Sequence, residues 1–98
     1  MMFEVMLQSS GVTIPEAFQL AIVHHQAGRL AEAEGIYQQI LAVAPQNADA
    51  LHLLGVIAHQ AGRHDHAVEL ILKAMALAPG NPAFYSNLGA AYRKLGSF

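Results

Sequence analysis

Histidine is the residue type in this chain best equipped for chemistry: there are six, and there is no cysteine, which removes thiolate nucleophiles, disulfides and thiolate metal ligands. His52 and His59 stand seven residues apart, two turns along one helix, and His64 and His66 follow across a turn at Gly62. Imidazoles converging from those positions could hold zinc or copper. No carboxylate-rich ligand set accompanies them, so histidine-based metal binding is a minor reading and no metal ligand is assigned. His24 falls on the packed side of its helix, where a hydrogen-bonded histidine is expected. No Gly-rich phosphate loop, H-E-x-x-H or G-x-S-x-G occurs. Glu32, Glu34 and Asp65 lie at helix starts, where the helix dipole accounts for them. The expectation is a non-enzymatic chain without a cofactor.

The elements that must position these residues repeat. His25-Gln26-Ala27-Gly28-Arg29 returns 34 residues later as His59-Gln60-Ala61-Gly62-Arg63. A further step of the same length reaches Arg93-Lys94-Leu95-Gly96-Ser97, with the glycine kept. A fixed period of this size marks a stack of supersecondary units, each burying its apolar face against the next. Within the duplicated stretch, Gly28 and Gly62 are expected as turn residues and Ala27 and Ala61 as packing residues. Arg29 and Arg63 are expected to be solvated.

Composition agrees with a folded, apolar chain. Of 98 residues, 54% are hydrophobic and 12% charged, which excludes disorder. A net charge of −2 with five Lys and Arg argues against nucleic acid, which needs a basic surface. Protonation of all six histidines would carry the charge to about +4, so partner choice can depend on pH. Gln, His, Gly and Arg interrupt every apolar run before it reaches the roughly 18 residues of a transmembrane helix. Met1 to Leu7 has no basic n-region and is too short for a secretion signal. A cytoplasmic location without membrane contact is the expectation.

Residues 1–13 read as an N-terminal extension, and residues 14–98 as the repeat domain, in units 14–47, 48–81 and a partial 82–98. Thr13, Pro15 and Glu16 form a capping-box start for a helix running to about Gln26, with Ala17, Leu20, Ala21 and His24 on its packed face. Gly28 ends it. Leu30 to Val43 makes the second helix, with Ala33, Tyr37, Ile40 and Leu41 inward, and Pro45 closes it. Asn47 caps a helix over Ala48–Gln60 carrying Leu51, Leu54, Gly55 and Ala58. Next comes His64–Leu77 with Ala67, Ile71, Ala74 and Met75, and Asn81-Pro82 then starts a fifth helix bearing Tyr85, Leu88, Gly89 and Tyr92. Helices joined by such short loops must pack antiparallel. Gly55, Gly89, Ala21, Ala33 and Ala67 are the small residues that permit close approach, while Leu54, Tyr37, Ile71 and Tyr85 fill the remaining space.

Tyr85-Ser86-Asn87-Leu88-Gly89-Ala90-Ala91-Tyr92 follows W-x2-L-G-x2-Y with Tyr for Trp. Ala33 with Tyr37 and Ala67 with Ile71 follow A-x3-F, and Pro45 and Pro79 supply the closing proline. On these residues the chain resembles the tetratricopeptide repeat family, including bacterial arrays such as the repeat arm of O-linked N-acetylglucosamine transferase-like proteins. The resemblance implies an all-α fold, an α-solenoid of tandem antiparallel helix pairs in a right-handed superhelix, with two full repeats plus the first helix of a third.

It further implies a concave face, lined by first helices, that binds a peptide or a neighbouring domain. In this register the face holds Phe18, Gln19, Ile22, His25 and Gln26, then His52, Leu53, Val56, His59 and Gln60, then Ser86, Asn87, Ala90, Arg93 and Lys94. It runs from an apolar end through histidines to a basic end, complementary to an apolar peptide with an acidic end. Chaperone-binding relatives grip a carboxylate with Lys, Asn and Arg; Phe18, Ile22, Leu53, Ala83 and Asn87 occupy the matching positions, so that clamp is absent. Of the asparagine ladder in the transferase arms only Asn87 is present, with Gln19 and Leu53 at the other rungs. The leading function is a protein–protein interaction scaffold; the alternative is the substrate-recruiting arm of a larger enzyme such as a glycosyltransferase. Because the fifth helix lacks a partner in this sequence, self-association as a dimer is also expected.

Overall fold

A computed structural model describes residues 11–96 as five helices, α1 Ile14–Gln26, α2 Leu30–Val43, α3 Ala48–Gln60, α4 His64–Leu77 and α5 Pro82–Leu95. Of the expected extension over residues 1–13, residues 1–10 lie outside the described residues, and Val12 packs against the core. Local signals set each boundary. The Thr13 hydroxyl accepts from the Glu16 amide at 3.2 Å while the Glu16 carboxylate accepts from the Thr13 amide at 2.9 Å, a reciprocal capping box. Asn47 Oδ1 accepts from the Ala50 amide at 3.0 Å, and Asn81 Oδ1 from the Ala83 amide at 2.9 Å. Gly28 and Gly62 take φ of 82° and 85°, a left-handed backbone that glycine adopts without a Cβ penalty. The second helices have no side-chain cap and begin directly from those tight turns.

α1 packs on α2 and α3 on α4; α2 also meets α3, and α5 rests on α4 and α3. The long extent of 45 Å exceeds the 20 Å short one more than twofold, so the fold grows along one axis instead of closing around a centre. Ala17, Ala21, Ala33, Tyr37, Ile40, Leu51, Leu54, Ala58, Ala67, Ile71 and Ala74 are all buried, the stripes expected from the periodicity. α3 and α4 approach closely at Gly55. A Cβ there would stand 2.8 Å from Ile71 Cγ1 and 3.3 Å from the Ala67 carbonyl oxygen.

Each first helix turns out to have two packing faces. One meets the second helix of its own unit: Ala17 and Ala21 in α1, Leu51, Gly55 and Ala58 in α3, all buried. The other meets the preceding unit: Ala50, Leu54 and Ile57 in α3, Phe84 and Ala91 in α5. This corrects three expectations. Leu20 is 42% exposed, because its face of α1 has no preceding unit among the described residues. Tyr85 is 50% exposed and fills no internal space, and Gly89 permits no close approach, since a Cβ there would meet only Arg93 Nη1 at 3.5 Å. Tyr85 instead donates its hydroxyl to the Pro79 carbonyl at 2.8 Å, closing the loop before α5.

Candidate functional site

Two side-chain bonds tie the first helices into a row. His25 Nε2 on α1 donates to Gln60 Oε1 on α3 at 2.6 Å, and Asn87 Nδ2 on α5 donates to His52 Nε2 on α3 at 2.7 Å. Both join residues 35 apart, one more than the period. The residues read from sequence as one stripe therefore do lie on adjoining helices, though they differ in access. Gln19, Gln26, Gln60, Arg93 and Lys94 are exposed; Phe18, Ile22, His25, Leu53, Val56, His59, Asn87 and Ala90 are half-buried. Phe18 leans on Tyr37 with ring centroids 5.8 Å apart, and Leu53 packs on the core, so the apolar end is partly spent on folding.

His52 departs furthest from an open binding residue. It is only 8% exposed, its ring lies 4.5 Å from that of Phe84, and the Asn87 amide requires its Nε2 to be an unprotonated acceptor. Burial holds its pKa below the usual 6.5, with Asp49 opposing more weakly. The unfolded chain thus takes up a proton here before the folded chain does. The stability that His52 contributes is complete above about pH 6.5 and is lost as the pH falls through that value toward its lower folded pKa. His52→Gln should accordingly flatten the decline of Tm between neutral and mildly acidic pH in a thermal melt series; an unaltered slope would show that this histidine takes up its proton equally in the folded and unfolded chain.

The four histidines weighed as metal ligands do not converge. His59 and His64 meet, Nδ1 to Nδ1 at 2.9 Å, whereas His52 is taken by Asn87 and His66 stands 3.6 Å from Glu69. Among the described residues no group of three or more His, Asp or Glu could hold a metal ion. At the duplicated turn, Ala27 and Ala61 are exposed and do not pack as expected, because each is the C-cap residue of its helix. The arginines are exposed but engaged: Arg29 Nε donates to His24 Nδ1 at 2.8 Å, and Arg63 pairs with Glu34 at 3.2 Å. His24 is therefore half-buried and hydrogen-bonded at the turn, not enclosed by the core. Phe84, which docks α5, lies outside the repeat signature, and the pairing of His25 with Gln60 follows a spacing of the period plus one.

The family model for the tetratricopeptide repeat matches residues 18–82. The chain belongs to the tetratricopeptide repeat family. The solved structures agree with the fold. A crystal structure of MamA superposes with a TM-score of 0.80 at 26% identity, covering 87% of this chain and 50% of that one. A second MamA structure gives 0.81 at 26% identity, covering 94% and 49%. An O-GlcNAc transferase mutant (K341M) from Thermobaculum terrenum gives 0.81 at 31% identity, covering 89% of this chain and 17% of that one. The chain thus spans about half the length of the MamA structures and a smaller part of the transferase. No curated protein sequence matches it. Tetratricopeptide repeats are in general non-catalytic interaction modules, and among the described residues no helix is long and apolar enough to cross a membrane.

Proposed function

We propose that the chain is a protein-interaction scaffold that holds an extended or helical segment of a partner protein along the row formed by α1, α3 and α5. The observation that carries this reading is the pair of bonds His25–Gln60 and His52–Asn87, which fix three helices side by side without covering Ile22, Val56 and Ala90 between them. That leaves an apolar strip flanked by amide and imidazole groups, the composition suited to a segment with alternate apolar side chains. A charge introduced into the strip at Val56 should abolish binding of a library-selected peptide, while the same charge on a second helix should not.

Two finer readings belong with it. The transferase likeness at 31% identity favours a recruiting arm attached to an enzyme, which flanking sequence would decide. The open face of α5, with Tyr85, Leu88, Tyr92 and Leu95 at or near the surface, suits a further helix supplied by a second copy of the chain. Light scattering at high concentration should then report a dimer that Tyr92→Glu converts to monomer; a monomer throughout would rule out the second copy.

A further inference from the structure

Four basic-type side chains gather where α3 and α5 end, and the rules of helix stability explain only three of them. His59 lies in the last turn of α3, and Arg93 and Lys94 lie in the last turn of α5, where the helix dipole favours positive charge. His64 is the first residue of α4, where the dipole disfavours an imidazolium. Its ring is nonetheless set against His59, Nδ1 to Nδ1 at 2.9 Å and centroids 4.8 Å apart. The first unit has no such pair, because Leu30 stands where His64 stands in the second.

The chemistry of that contact is constrained. A hydrogen between the two Nδ1 atoms belongs to one ring, so in the neutral pair that ring keeps a lone pair on Nε2 while the other carries Nε2–H. One added proton converts the free lone pair into a second N–H and leaves the shared hydrogen in place. The singly charged pair then carries one positive charge and an Nε2–H donor on each outer side, so that a carboxylate can accept from one of the two rings. A second proton would set N–H against N–H and break the contact. The charged or titratable groups that act on His59 are His64 from α4, in contact with it, and Lys94 and Arg93 from α5. On α2 the Glu34 carboxylate is held by Arg63, and on α1 His25 is bonded to Gln60. Asp65, beside His64, accepts from the His66 amide at 2.9 Å. Among the described residues, then, no carboxylate pairs with Arg93 or Lys94.

We propose that His59, His64, Arg93 and Lys94 form a receiving corner for the acidic end of a bound partner segment, armed by uptake of one proton on the histidine pair. This rests on the groove reading above and adds to it the chemistry and pH response of the partner. Burial, then His64, Lys94 and Arg93, hold the His59 pKa below 6.5, so acid or a bound carboxylate is needed to favour a proton on that ring.

The test is calorimetric titration of the whole chain with two synthetic peptides. Both share one apolar segment; one ends in glutamates, the other in glutamines. The glutamate peptide should bind roughly tenfold more tightly near pH 6 than near pH 8, while the glutamine peptide should bind alike at both. His64→Gln should erase the difference and leave the glutamine peptide's affinity as it was, with helix content checked by circular dichroism. Lys94→Gln should weaken the glutamate peptide at both pH values, a second readout independent of the histidines. Equal binding of the two peptides near pH 6, or a pH response that survives His64→Gln, overturns the corner and leaves the groove intact. Failure of both peptides to bind overturns the groove reading with it.

Discussion

Gly55→Leu should lower the stability of this chain by about 3 kcal/mol, the upper end of the range for overpacked cores. The two nearest contacts decide the size. The Cβ alone would intrude on Ile71 Cγ1 at 2.8 Å, and Ile71 is fully buried with no space to yield. Behind it stands the Ala67 carbonyl at 3.3 Å, which is backbone and cannot rotate away. The remaining atoms of Leu would force α3 and α4 apart along the whole pair, which includes Leu51, Ala58, Ala67, Leu70, Ile71 and Ala74. For a domain of this size that corresponds to a fall in Tm of more than about 10 °C. Gly89→Leu supplies the control, because Gly89 occupies the same place in the next unit and a Cβ there meets only the mobile end of Arg93. Losing a mid-helix glycine should leave that variant neutral or more stable by up to about 1 kcal/mol. Circular dichroism melts of the two variants read the asymmetry; equal losses would contradict the packing described for α3 and α4.

Much of this architecture was legible in the residues because each signal has a local cause. The capping box at Thr13, the caps at Asn47 and Asn81, and the left-handed glycines at positions 28 and 62 act through the backbone within a few residues. The apolar stripe facing each helix's own partner was equally plain from Ala33 and Tyr37, or Ala67 and Ile71. What the sequence left out depends on neighbours that are not local. Leu20 and Leu54 are alike in type and in place within the unit, yet one is exposed and the other buried, because only the second has a preceding pair of helices against it. Tyr85 matches the repeat signature and is half exposed, whereas Phe84 beside it, outside the signature, is the residue that seats α5. The groove shows the same division. Membership of the stripe followed from the period, but the engagement of His52 with Asn87 and of His25 with Gln60 depends on how side chains of adjacent helices meet, which periodicity alone does not fix.

The second large effect concerns binding. Val56 is half-buried on α3, midway along the row of first helices, with Ile22 and Ala90 at the corresponding places on α1 and α5. An arginine there would place a charge in the centre of any segment lying on the row, where contacts are desolvated and single residues carry most of the affinity. Leu72 is 44% exposed on α4, a second helix, and does not belong to that row. The direct measurement takes a peptide selected from a random library against the intact chain and compares its dissociation constant for the parent, Val56→Arg and Leu72→Arg. Affinity should fall at least about tenfold for Val56→Arg and less than about twofold for Leu72→Arg. A larger loss for Leu72→Arg, or parental affinity in Val56→Arg, would contradict a binding face made of the first helices.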